Sequence, residues 1–122
     1  MDASQVRKRM QQGQCEIDEL LEVLEQRHKF IRGRVYNLRR RCGKTTCRCQ
    51  TGALHSSWVL AFPEQGHKRM RTVPEDKRIL WQRMTERYRR FRRARVKLVK
   101  LFAQIVRLVA ALEQKRTVPP SE

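Results

Sequence analysis

Three features of the sequence predict an α+β fold. A seven-residue apolar recurrence fills the first thirty positions. Short β-type runs separated by turn residues occupy the middle. A second helical pattern, free of Pro and Gly, then continues to about residue 116. The expected architecture is an N-terminal helix, a small antiparallel sheet of about three strands, and a long C-terminal helix that packs antiparallel on the first or forms a coiled coil. The 122 residues are read as a single domain, 1–122, made of a helical arm (4–31), a β element (34–73), a long basic and apolar helix (75–116) and a frayed tail (117–122).

In the first helix Met10, Ile17, Leu24 and Ile31 recur every seven residues, with Leu20 and Leu21 between them. Asp2 and Ser4 are candidate N-caps and Gly33 is a candidate stop, while Gly13 interrupts the seam. Glu16, Asp18, Glu19, Glu22 and Glu25 hold five of the twelve acids. They are expected to pair with basic residues elsewhere in the protein and so set helix register.

The first strand is expected at Arg34–Arg41 and the second at Ser57–Phe62. Pro63-Glu64-Gln65-Gly66 supplies a turn, and a weakly alternating third strand covers His67–Val73. The small sheet is expected to carry a basic outward face. Pro74-Glu75-Asp76 opens the second helix, because Pro fits the first helical turn and carboxylates suit the positive end of the dipole. About forty helical residues make a rod of roughly 60 Å. A small domain cannot bury that length, so part of the rod must project or find a partner. Met84, Phe91, Leu98, Ile105 and Leu112 form one heptad series in it. Trp81, Tyr88, Arg95, Phe102 and Val109 form another, broken only by Arg95. Beyond Leu98 the apolar surface widens, which points to self-association or a protein partner through the 98–112 face.

Charge bounds the function. Lys and Arg number 29 against 12 Asp and Glu, a net charge of +17. Such self-repulsion does nothing for a fold, so it points to a polyanionic partner, and nucleic acid is the expected one. The basic residues cluster in three sets. Arg39, Arg40 and Arg41 stand with Lys44 and Arg48. Lys68, Arg69 and Arg71 lie on the third strand. Arg83, Arg87, Arg89, Arg90, Arg92, Arg93, Lys97 and Lys100 lie, with Arg95, on the long helix. Guanidinium groups suit bidentate phosphate contact. Tyr36 and Trp58 are the aromatics best able to stack on a base, although the apolar run around Trp58 favours core packing.

No catalytic constellation is present, so the expectation is a non-enzyme without a small-molecule substrate. Gly43-Lys44-Thr45 resembles the end of a phosphate-binding loop, but Leu38 stands where that loop requires its first glycine. The sequence holds no membrane-length apolar run and no apolar leader near Met1–Gln14. The expected setting is cytoplasmic, within the nucleoid or a nucleoprotein complex, without a membrane.

The cysteines carry the remaining chemistry. Cys42, Cys47 and Cys49 fall within eight residues and His55 follows, giving C-x4-C-x-C-x5-H. Thiols stay reduced inside cells, so the cluster indicates a metal rather than disulfides. Three thiolates and an imidazole are the ligand set of one closed, structural Zn2+ per chain, with no open position for catalysis. His67 is the alternative fourth ligand. Gly43 is expected to permit a tight turn after Cys42, and Cys15 stands apart as a small apolar helix residue.

Arg41-Cys42-Gly43-Lys44, Cys47-Arg48-Cys49, Gly52 with His55, Gly66-His67-Lys68, Val73-Pro74 and Tyr88-Arg89-Arg90-Phe91 together resemble a family of small uncharacterised prokaryotic proteins. The resemblance spans about Arg32 to Phe102, leaves residues before Gln26 uncovered, and has Arg41 in place of the usual Lys. It implies the metal clip and the helix–hairpin–helix layout without a mechanism. It also implies a nucleic-acid-bound accessory role, because the family resembles small proteins carried with mobile elements. The overall expectation is a non-catalytic nucleic-acid-binding protein, with DNA slightly preferred to RNA. The alternative is a subunit of a larger transposase, RNA-guided or ribosome-like assembly that uses its helices mainly for protein contacts.

Overall fold

The computed structural model describes residues 1–121. Its elements are helix α1 (Ala3–Leu24), strands β1 (Arg34–Arg40), β2 (His55–Glu64) and β3 (His67–Thr72), and helix α2 (Arg78–Arg116). A 3₁₀ turn at Glu75–Lys77 leads into α2, as the Pro74-Glu75-Asp76 signal predicts. The expected α+β class, the three antiparallel strands and the long C-terminal helix are all present. Two compact units divide the chain: residues 28–89 form one, and residues 1–27 with 90–122 form the other.

The 28–89 unit is a meander with strand order β1-β2-β3. β1 and β2 pair from Arg34↔Ala61 to Arg40↔His55, and β2 and β3 pair from Val59↔Thr72 to Glu64↔His67. The β2–β3 turn is only Gln65-Gly66, both at positive φ (51° and 78°), which is the twist a two-residue hairpin needs. The turn is therefore shorter than the predicted one, and Pro63 and Glu64 belong to β2. Pro63 lies beyond the last β1 partner, where β2 has no neighbour on that side to miss its N–H. Val59, Leu60, Ala61 and Val73 are buried, as is Thr85, whose hydroxyl donates to the Gln82 carbonyl at 3.0 Å.

α1 starts as the sequence directs. Asp2 accepts from the Gln5 N–H at 2.8 Å, and the Gln5 side chain accepts from the Asp2 N–H at 2.9 Å, forming a capping box. The helix ends at Leu24, not at Ile31 as the heptad suggested. Residues 28–31 instead have partners within their own unit. Ile31 N–H donates to the Met84 carbonyl at 3.1 Å, Arg87 reaches the Lys29 carbonyl at 3.4 Å, and Phe30 lies 5.4 Å from the Tyr88 ring. Tertiary contacts outweigh a periodicity worth little by itself. Gly33, expected to stop the helix, has a different use: a Cβ there would sit 2.6 Å from the Ala61 carbonyl oxygen, so only glycine allows this approach.

In the other unit α1 and residues 90–116 of α2 pack antiparallel. Arg9 donates to Gln104 at 2.8 Å and Gly13 faces Ile105, while Leu20 and Val23 share a groove with Lys97 and Leu101. Val6 (1 % exposed) and Ala94 (4 %) are its most buried apolar residues. The same groove has Glu16 and Glu19 on one wall and Lys97, Lys100 and Arg107 on the other. Thr117 closes α2 by donating to the Glu113 carbonyl. Of the tail expected to fray, Glu122 lies outside the described residues.

Candidate metal centre

The 41–54 segment joins β1 to β2, and its two ends are fixed by the sheet. β1 stops at Arg40 and β2 starts at His55, its register partner, so Cys42 and His55 leave adjacent strands side by side. The intervening loop folds back through a 3₁₀ turn at Arg48–Gln50. Gly52 N–H donates to the Arg48 carbonyl at 2.8 Å, and the Gln50 amide donates to the carbonyls of Cys42 and Lys44, both at 3.2 Å. These bonds bring the three thiols to the strand ends.

Cys42, Cys47 and Cys49 Sγ and the His55 ring nitrogen lie within 4.8 Å of one another, a group able to hold a metal ion. Cys42 and Cys49 Sγ are 3.6 Å apart, and Cys47 Sγ is 3.1 Å from His55 Nε2. A tetrahedron with metal–sulfur bonds of about 2.3 Å and metal–nitrogen bonds of about 2.0 Å has edges of roughly 3.6–3.8 Å. The donor chemistry and spacing therefore fit a four-coordinate ion after a contraction of about 1 Å at the widest pair. The imidazole in the group is that of His55. His67 pairs with Glu64 at the far end of β2.

The surroundings favour anionic sulfur. The Cys42 N–H donates to Cys49 Sγ at 3.3 Å. The Cys49 backbone N–H, and after it the His55 ring, hold the Cys47 thiol down at about 6, from an ordinary 9.0. Burial pushes the Cys49 thiol up, consistent with its 1 % exposure. Gly43 is not the steric necessity the sequence suggested, since a Cβ there would meet nothing within 4 Å. Cys15 is exposed on α1, away from the motif in sequence and in the other unit.

The predicted basic residues separate into several settings. Strand alternation places Arg34, Tyr36 and Arg40 with Lys68 on one sheet face, and Arg39, Arg69 and Arg71 on the other. The sheet therefore has no single basic face. Arg71 stacks over the Trp81 ring at 5.6 Å and Arg78 over Trp58 at 5.0 Å, so the second face is the one against α2. Arg41, Lys44 and Arg48 are exposed around the metal group. Arg83 is exposed, Arg87 is half-buried against the Lys29 carbonyl, and Arg89 pairs with Glu86. Arg90, Arg92, Arg93, Lys97 and Lys100 are exposed on the part of α2 that lies in the other unit. Arg34 was missed by sequence reasoning. It stacks over Tyr36 at 4.8 Å, and the two-residue period from Arg34 to Arg40 was the signal that could have found it.

A family model described as "Domain of unknown function (DUF6788)" matches residues 8–80. The chain belongs to this family. The match takes in the metal group, the whole sheet and most of α1, so it begins well before the Arg32 boundary of the sequence resemblance. It ends before Tyr88-Arg89-Arg90-Phe91, which stands outside the family region. No curated protein and no solved structure matches the chain. Among the described residues, no helix of this DUF6788 protein is long and apolar enough to cross a membrane.

Proposed function

We propose that this protein is a non-catalytic nucleic-acid-binding protein whose Cys42, Cys47, Cys49 and His55 hold one structural Zn2+. Duplex DNA is the preferred ligand over RNA, and the role is that of an accessory in a nucleoprotein complex, such as one carried by a mobile element. One observation carries the reading. Residues 28–89 contain 16 Lys and Arg against 4 Asp and Glu, so +12 of the +17 net charge lies in the unit with the metal group. Positive charge this dense on so small a unit is stabilised by phosphates and opposed by everything else.

Zinc suits three thiolates and one imidazole, and four protein ligands leave no site for substrate. Its chemistry when bound is structural: it ties the start of β2 to the end of β1 and fixes the loop bearing Arg41, Lys44 and Arg48. The test is a salt titration of zinc-loaded protein against duplex DNA, single strands and structured RNA. About six to ten phosphate contacts give a log–log slope between roughly −5 and −9 on duplex DNA. No binding at low salt, or a flat slope, overturns the nucleic-acid reading. Elemental analysis is expected to find about one zinc per chain, lost in a Cys47→Ser, Cys49→Ser variant. Full zinc content in that variant would falsify the ligand assignment.

A further inference from the structure

α2 carries a second apolar stripe that α1 does not cover. Leu98, Leu101, Gln104, Ile105 and Leu108 are half-buried on the side facing α1. Val99, Phe102, Val106 and Val109 recur at spacings of three and four on another side of the same helix. They remain 64 %, 51 %, 66 % and 49 % exposed. Those spacings are the a and d positions of a heptad seam. Ala103 and Ala110 flank the stripe and are small enough to let a second helix approach.

The ends of the stripe identify the occupant. One turn before Val99 the seam continues with Arg95, and one turn after Val109 it continues with Glu113. A surface that is basic at one end, apolar in the middle and acidic at the other is complementary to itself when inverted. We infer that the Val99–Val109 face of α2 is a homodimer interface, in which α2 helices from two copies pair antiparallel about a two-fold axis near residue 104. Only one antiparallel a–d register pairs all four apolar residues, setting Phe102 against the partner's Val106 and Val99 against the partner's Val109. That same register sets Arg95 against the partner's Glu113, twice by symmetry. Sliding by one heptad places Phe102 opposite Glu113 or Val106 opposite Arg95. A parallel pair instead sets Arg95 against Arg95 and Glu113 against Glu113, two like-charge contacts at partly desolvated positions. Arg92 meets Arg116 at the fringe of the antiparallel pair, where both side chains extend into water.

Four apolar layers make a small interface beside the roughly 800 Å² per partner typical of stable complexes. The dimer is accordingly concentration-dependent, in the micromolar range. It is independent of nucleic-acid binding and of the metal assignment, so either can fail without the other.

The test is sedimentation equilibrium of the full zinc-loaded chain in about 0.3 M salt, where long-range self-repulsion is screened. A monomer–dimer equilibrium is expected. Val106→Asp should give monomer at every concentration while leaving the helical circular dichroism unchanged, because this side chain is already in water. Glu113→Arg should weaken the dimer about tenfold, and Arg95→Glu with Glu113→Arg should restore it. Monomer at about 100 μM, or a dimer that survives Val106→Asp, overturns the interface. Failure of the double charge exchange to restore association overturns the antiparallel register. In a Cys15→Ser background, Val99→Cys with Val109→Cys should cross-link under mild oxidation and Val99→Cys alone should not. The reverse pattern also sinks that register.

Discussion

Cys47 and Cys49 are two residues apart in sequence and opposite in character. Cys47 is half-exposed beside His55 with its thiol held down at about 6, whereas Cys49 is buried with its thiol pushed up. A lowered thiol is thiolate above its own midpoint, so in metal-free protein Cys47 reactivity should rise as pH increases through about 6 and level off by neutrality. At pH 7 iodoacetamide should therefore label Cys47 well before Cys49, as peptide mass mapping would show. Zinc should protect both and leave the exposed Cys15 reactive. Equal labelling of all four cysteines with zinc present would contradict a closed site. At this scale the ligand types were readable from C-x4-C-x-C-x5-H alone. The choice of His55 over His67 was not, because it depends on the Arg40↔His55 register.

Between elements, the two glycines expected to interrupt or stop a helix prove to be contact points. Gly13 is buried, and a Cβ there would lie 3.3 Å from Ile105 Cδ1. Gly13→Ala should change stability by less than about 1 kcal/mol, since the helix-propensity gain offsets a small shift of a flexible side-chain tip. Gly13→Leu should cost about 1–3 kcal/mol through overpacking, seen as a lower denaturation midpoint at constant m-value. A neutral Gly13→Leu would mean that α1 and α2 do not approach closely there. Helix α1 itself shows the limit of periodicity. Its capping box at Asp2 and Gln5 is a local signal and was readable. Its end at Leu24 was not, because residues 28–31 are held by Met84, Arg87 and Tyr88, far away in sequence.

For the molecule as a whole, net charge is a property of composition, but its placement is a property of pairing. Arg34, Arg40 and Lys68 share one sheet face because β1, β2 and β3 align in this register. Replacing all three with Gln should reduce the salt slope of duplex binding by up to about three, close to 0.9 for each phosphate that is no longer neutralised. The same three-charge reduction at Lys8, Arg27 and Lys115, outside the +12 unit, should leave the slope nearly unchanged. Equal effects of the two triples would show that binding follows total charge rather than this surface. In either triple only net charge and phosphate binding change, since the substitutions fall on exposed side chains.

The sequence by itself determined the class of every element, the four-ligand metal group and the excess of positive charge. Each of these is written in residues close together or in composition: caps, turn residues, short ligand spacings and counts. Tertiary structure decided where α1 stops, which histidine joins the thiols, what Gly13 and Gly33 are for, and which arginines share a face. It also decided which side of α2 is covered by α1 and which is left to water. Those outcomes depend on partners tens of residues away, and no local preference of a few tenths of a kcal/mol per residue can specify them. The cysteine cluster belongs to both levels: its chemistry is local, and its closure is made by the pairing of two strands.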